Sequence, residues 1–146
     1  MSNVLTIQDA IHEIEEEFAF MPSWQERFQY IIELGKNLPP LPEEFKTKQY
    51  KVDGCVSQAW LRAEMQDGRV VYQADSDAVI VRGLIALLLK VYSNHTPEEI
   101  LAAPPDFLVQ LGIVNHLTPN RSNGLASLVQ KMRAWAAAFQ QKVQEG

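Results

Sequence analysis

A single thiol sets the terms on which this chain can fold. With one cysteine, Cys55, in 146 residues, it can form no intrachain disulfide, no C-x-x-C redox pair and no self-contained four-cysteine zinc or iron–sulfur site. The three histidines, His12, His95 and His116, are scattered without ligand spacing, so a metal site built from this chain alone is not expected. The fold must rest on buried apolar surface, without covalent or metallic staples. At 47% hydrophobic and 21% charged residues, the chain has the size and balance for one domain, residues 1–146, around one core.

The formal net charge is -5. Nucleic-acid binders cluster basic residues to neutralise phosphates, and no basic run appears along this sequence, so no nucleic-acid partner is expected. The acidic run Glu13, Glu15, Glu16, Glu17 alternates with apolar positions and reads as the solvated face of a helix. Met1 to Asn3 carries no basic residue and no apolar run follows, so no signal peptide is expected. The greasiest stretch, Val79 to Tyr92, contains Arg82, Gly83 and Lys90 and falls short of the ~20 apolar residues of a membrane span. It reads as a core helix of a soluble protein that is cytoplasmic, where thiols stay reduced.

Helix signals dominate the first third. Thr6 with Asp9 marks a start, and Ile7, Ala10, Ile11, Ile14 and Phe18 recur at helical spacing. Ser23 with Glu26 is a capping box opening a second helix through Trp24, Phe28, Ile31 and Ile32, which closes near Gly35. Leu38-Pro39-Pro40-Leu41-Pro42 cannot continue it and reads as a rigid connector. A β section follows: a strand from Cys55 to Met65, a hairpin turn at Asp67-Gly68, a return strand over Arg69 to Ala74, and a short third strand around Tyr50 to Val52. Ser76 or Asp77 is expected to cap the helix through Tyr92. Thr96-Pro97-Glu98-Glu99 starts another, Phe107 to Leu111 a short one stopped by Gly112, and Thr118-Pro119 the last, with Leu125, Leu128, Val129, Met132, Ala136 and Phe139 inward. The expected class is α+β: a small antiparallel sheet of about three strands covered by helices.

Cys55 is the first candidate for chemistry. It follows Gly54 in an Asp-Gly turn, where unusual backbone angles and close approach by another molecule are allowed. A thiolate there can attack the outer sulfur of a partner's persulfide, as in thiol–disulfide exchange, although a free cysteine is often only a small buried hydrophobe. Local context leaves both open. Arg121, within Thr118-Pro119-Asn120-Arg121-Ser122-Asn123-Gly124, lies at a helix start, where a guanidinium could stabilise a thiolate or persulfide or pair with a partner carboxylate. His116 is near it in sequence and could assist. Helix capping accounts for at least one of Asp75 and Asp77, and a paired-carboxylate acid/base site is disfavoured; Trp24 and Trp60 read as core or cleft-lining residues.

Gly54-Cys55-Val56-Ser57-Gln58-Ala59-Trp60 resembles the Gly-Cys-x-Ser-Gln-x-Trp motif of the SufE-like sulfur acceptors, partners of SufS-type cysteine desulfurases in iron–sulfur cluster assembly. The similarity runs over nearly the whole chain: Trp24, Ile32-Glu33-Leu34-Gly35-Lys36, Leu38-Pro39-Pro40-Leu41, Asp75-Ser76-Asp77-Ala78, Ile80 to Ala86, and His116 to Gly124. The resemblance implies a fold like that of the iron–sulfur scaffold proteins, with Cys55 as the sulfur-accepting residue at a loop tip, tucked against apolar surface until the desulfurase engages it. It implies pyridoxal phosphate on the partner and no cofactor on this chain, with a scaffold such as the SufBCD complex downstream. Asp77 and Arg121 match family positions associated with placing the cysteine loop and with the partner surface; Gly54, Ser57 and Gln58 belong to the motif itself. Ser57 with Gln58, and Thr118-Pro119, are more like the SufE branch than the CsdE-like sister branch. Val56 and Ala59 depart from the family's more usual glutamine and larger aliphatic, and residue 56 lies on the loop.

Other function classes make separate expectations. A cluster-building scaffold is weakened by the single cysteine. A cysteine hydrolase using Cys55, His116 and an asparagine would place helix after the cysteine, whereas a strand is expected here. A non-catalytic desulfurase-binding module would tolerate replacement of Cys55.

Overall fold

The computed structural model describes residues 5–54 and 57–145. Among them, besides two short 3-10 turns at Glu43–Phe45 and Val114–His116, six α-helices and one hairpin follow in the order α1 (Ile7–Ala19), α2 (Trp24–Lys36), β1 (Ala59–Gln66), β2 (Arg69–Ser76), α3 (Val79–Tyr92), α4 (Pro97–Leu101), α5 (Phe107–Gln110) and α6 (Pro119–Glu145). The α+β class holds: helices cover a small antiparallel sheet.

Local sequence signals account for most boundaries. The Thr6 side chain accepts the Asp9 N–H at 3.0 Å, and α1 buries Ile7, Ala10, Ile11, Ile14 and Phe18. Ser23 and Glu26 form the reciprocal capping box of α2, and Thr96 and Glu99 that of α4, each satisfying backbone N–H groups that the first turn leaves open. Asp67 and Gly68 both have positive φ (52° and 80°), as a two-residue type I′ hairpin turn requires. The pairing runs in register from Gln66↔Arg69 to Ala59↔Ser76. Ala59, Leu61 and Ala63 of β1 and Val70, Tyr72 and Ala74 of β2 face the core, with α3 and α6 packed on them.

Three expectations are corrected. The third strand around Tyr50 to Val52 is a single bridge, Lys51↔Trp60, made by the Val52 N–H to the Ala59 carbonyl and the Leu61 N–H to the Tyr50 carbonyl, both 2.8 Å. The chain cannot extend it, because turns occupy residues 47–50 on one side and Asp53-Gly54 on the other. The strand expected from Cys55 begins at Ala59; Cys55 and Val56 lie outside the described residues. Neither Ser76 nor Asp77 caps α3 as an N-cap: that position is Ala78, which has no side-chain acceptor. Ser76 still ends β2, where its hydroxyl accepts the Ala78 N–H at 3.2 Å.

Two glycines bring the backbones of α2 and α3 into close contact. A Cβ at Gly83 would lie 2.5 Å from the Ile31 carbonyl oxygen, and one at Gly35 would lie 2.7 Å from the Gly83 nitrogen. The two backbones touch where any side chain would hold them apart. At the other end of the hairpin, buried His95 bridges its carbonyl to the Val70 N–H at 2.7 Å. Burial pushes the His95 pKa below its ordinary value, against the opposing pull of Glu99, whose carboxylate is 3.8 Å from Nδ1.

Two outcomes are expected. Gly83→Ala lowers stability by about 1–3 kcal/mol in denaturant unfolding, although alanine favours helix, because overpacking outweighs propensity; an unchanged or raised midpoint contradicts the contact. A histidine with a depressed folded pKa binds more protons when unfolded, so its contribution is complete above pH ~6.5 and falls as pH drops below that. The thermal midpoint of the parent should therefore decline from pH 7 toward ~5.5, and His95→Gln should flatten that slope.

Candidate functional site

Gly54 and Ser57 bracket the segment that carries Cys55. Gly54 has φ +89°, and a Cβ there would sit 2.6 Å from the Ser127 Oγ. The backbone angle disfavours a side chain, and one would also displace the Ser127 hydroxyl, so the chain enters the segment close against α6. Four residues along that helix, the Lys131 Nζ donates to the Lys51 carbonyl at 2.7 Å. The entry is fixed to α6 at two successive turns.

The exit is fixed to β2. The Gln58 N–H donates to the Asp77 carboxylate at 3.1 Å, and the Gln58 carbonyl accepts the Asp77 N–H at 3.2 Å and the Ser76 hydroxyl at 2.7 Å. Gln58 and Asp77 thus continue the hairpin one pair beyond Ala59↔Ser76, with a carboxylate completing the ladder. The expectation that helix capping accounts for at least one of Asp75 and Asp77 is corrected here, since the N-cap of α3 is Ala78. Asp77 holds Gln58, and Asp75 turns into the protein.

Asp75 is 2% exposed and fully engaged. Its Oδ1 accepts from the Ser76 N–H at 2.8 Å and from the Arg82 Nη1 at 2.6 Å, and its Oδ2 accepts from the Leu41 N–H at 3.1 Å. Arg82 donates onward to the Gly35 carbonyl at 2.9 Å and to the Leu38 carbonyl. One ion pair therefore ties the end of β2, the start of α3, the last turn of α2 and the proline-rich connector. Sequence reading left Arg82 without a role. The signal was present: a charge in the first turn of an otherwise apolar helix needs a partner.

Ser57, Val81, Leu84, Arg121, Gly124 and Leu128 line a cavity of about 290 Å³. Its floor is apolar, from α3 and α6, and its rim is polar. Arg121 is exposed at the start of α6, where its N–H lies 3.4 Å from the Thr118 Oγ1. A guanidinium over an apolar floor suits a soft, polarisable anion better than a small hydrated one. Ser57 and Arg121 are brought to the same cavity; Gly54, Gln58 and Asp77 anchor the segment beside it. His116 is placed differently. Its ring stacks on Trp24 with centroids 3.9 Å apart, and its Nδ1 is 2.8 Å from the Gly112 carbonyl. It is not among the residues lining the cavity.

Among the described residues, no three His, Cys, Asp or Glu side chains are grouped to hold a metal ion, and no helix is long and apolar enough to cross a membrane.

Residues 12–136 match the family model described as SufE, the Fe-S metabolism associated domain. An uncharacterized SufE-like protein of Rhizobium meliloti (strain 1021) is 38% identical over 132 residues, covering 87% of this chain and 94% of its own. The SufE-like protein 1, chloroplastic/mitochondrial, of Arabidopsis thaliana is 42% identical over 136 residues, 92% of this chain and 37% of the plant protein. In fold, the chain is similar to the solution structure of a hypothetical protein from Thermus thermophilus, with a TM-score of 0.76 at 23% identity, covering 90% and 96% of the two chains. The matched span contains both anchors of the Cys55 segment, the Asp75–Arg82 pair and Arg121, and by sequence the chain belongs to the SufE family.

Proposed function

We propose that this protein is a sulfur acceptor that takes persulfide sulfur from a SufS-type cysteine desulfurase onto Cys55 and passes it on for iron–sulfur cluster assembly. The observation that carries this reading is the double anchoring of the segment around the chain's one thiol, at Gly54 on α6 and at Gln58 on Asp77. The step is a displacement without net redox change. The Cys55 thiolate attacks the outer sulfur of the partner's persulfide, a new S–S bond forms to Cys55, the partner's S–S bond breaks, and the partner's cysteine leaves as thiolate. Cys55 then carries the persulfide, a reversible cap, and with no second thiol on the chain it cannot be discharged internally as a disulfide.

Residues around the segment divide the labour. Gly54, Ser57, Gln58 and Asp77 position it, while Arg121 at the cavity rim offsets anionic sulfur or meets the partner. His116, held against Trp24, is kept as a surface contact near Arg121 in sequence. Pyridoxal phosphate belongs to the desulfurase, and this chain works without a cofactor. A scaffold such as the SufBCD complex is the downstream recipient, and the reducing cytoplasm is the compartment that suits a lone reactive thiol.

Cys55→Ser is expected to bind the desulfurase yet fail to stimulate its turnover in an alanine-release assay; stimulation equal to the parent's would overturn the reading and favour a binding module. Asp77→Ala removes the acceptor for the Gln58 N–H. Iodoacetamide should then alkylate Cys55 about threefold to tenfold faster, the range set by one charge-assisted hydrogen bond near the surface. An unchanged rate would show that this anchor does not restrain the segment.

A further inference from the structure

The sequence has no basic run, yet its cations are unevenly placed. Residues 46–54 lead into the Cys55 segment, and residues 118–143 are the Thr118 start and most of α6, the helix against which Gly54 packs. Together they contain seven of the chain's thirteen Lys and Arg residues and one of its eighteen acids, Asp53. Residues 1–45 hold nine acids against two cations. The charge that looks evenly mixed along the chain is segregated by region.

Two of the seven cations are bound into other parts of the fold: Arg133 donates to the carbonyls of Ile100, Leu101 and Ala103, and Lys46 pairs with Glu43 at 3.1 Å. Lys131 donates to the Lys51 carbonyl beside the site, and among the described residues Lys51, Lys131 and Arg121 pair with no carboxylate. Lys51 and Lys131 line the shallow surface beside Gly54, together with Asp53 and Ser127. Arg121 stands at the rim of the cavity next to Ser57, ten residues from Lys131, or ~15 Å along α6.

We propose that Lys51, Lys131 and Arg121 form a cationic docking strip that receives an acidic rim on the desulfurase. The inference rests on the sulfur-acceptor reading for the identity of the partner. Its own ground is the segregation of charge: in a chain of net charge -5, an acidic partner is repelled by most of the surface and attracted at this strip, so approach is oriented with the Cys55 segment forward. Exposed charges of this kind act chiefly on encounter and are screened beyond ~8 Å at physiological salt.

The test is desulfurase stimulation titrated with the parent, Lys51→Glu and Lys51→Arg at about 50 mM and about 300 mM NaCl; these variants leave the bond from Lys131 to the Lys51 carbonyl in place. At low salt Lys51→Glu should raise the KM for this protein about fivefold with kcat within about twofold, and the gap should shrink below about twofold at high salt. Lys51→Arg should keep the parent KM, and iodoacetamide should alkylate Cys55 of the isolated variants at the parent rate. A parent-like KM in Lys51→Glu overturns the strip. So does a KM increase that persists at high salt with altered alkylation, which would mean a disturbed segment, and so does micromolar binding of the parent to a DNA oligonucleotide. Cys55→Ser in the same assay separates the two ideas. If it stimulates like the parent, sulfur transfer fails while a salt-dependent KM still supports the strip.

Discussion

The Asp75–Arg82 pair is the constraint on which the site depends. A carboxylate 2% exposed is costly to bury unless its charge and its lone pairs are met. Here both oxygens are: one by Arg82 and the Ser76 N–H, the other by the Leu41 N–H. Arg82 in turn donates to the carbonyls of Gly35 and Leu38, at the end of α2 and the start of the proline-rich connector. Removing Arg82 would leave the buried Asp75 carboxylate with Lys46, 3.7 Å away, as its nearest cation, at a cost approaching the about 3–5 kcal/mol of a broken buried pair. The pair also fixes Ser76, and Ser76 and Asp77 hold Gln58. A chain of contacts thus runs from the interior to the exit of the Cys55 segment.

The entry is set by separate means. Helix α6 packs its apolar face on the hairpin, and the Tyr72 hydroxyl donates to the Met132 carbonyl at 2.7 Å, with burial pushing the Tyr72 pKa far up. That register delivers Ser127 against Gly54 and Lys131 to Lys51. Two rigid elements, β2 with α3 on one side and α6 on the other, therefore grip the segment at its ends, while the cavity between α3 and α6 gives it an apolar neighbour. A reactive group on a short segment held by rigid supports can be presented to a partner without reorganising the core.

Where a structural cause is local, the sequence showed it. Thr6, Ser23 with Glu26 and Thr96 with Glu99 announce helix starts because each cap acts across three residues, and Asp67-Gly68 announces its turn because the backbone angles are local. The apolar stripes of α1 and α6 were equally readable. Long-range choices were not. Asp75 and Asp77 stand in a sequence that fits helix capping, and only the extension of β2 to Ser76 turns one inward to Arg82 and the other across to Gln58. The third strand failed because tight turns on either side leave room for one bridge. Lys51 and Lys131 lie eighty residues apart and meet only in the fold. The motif around Cys55 was legible as a resemblance, which also marked Asp77 for placing the cysteine loop, whereas the close approach of Gly54 to Ser127 was not legible.

The most direct measurement of the central claim is intact-mass spectrometry after mixing the protein with a SufS-type desulfurase and cysteine, without reductant. The account predicts a gain of one or more sulfur atoms, mapped to Cys55, reversed by reductant and absent from Cys55→Ser. A protein whose mass stays unchanged, with Cys55 still open to alkylation while the desulfurase turns over, would contradict it.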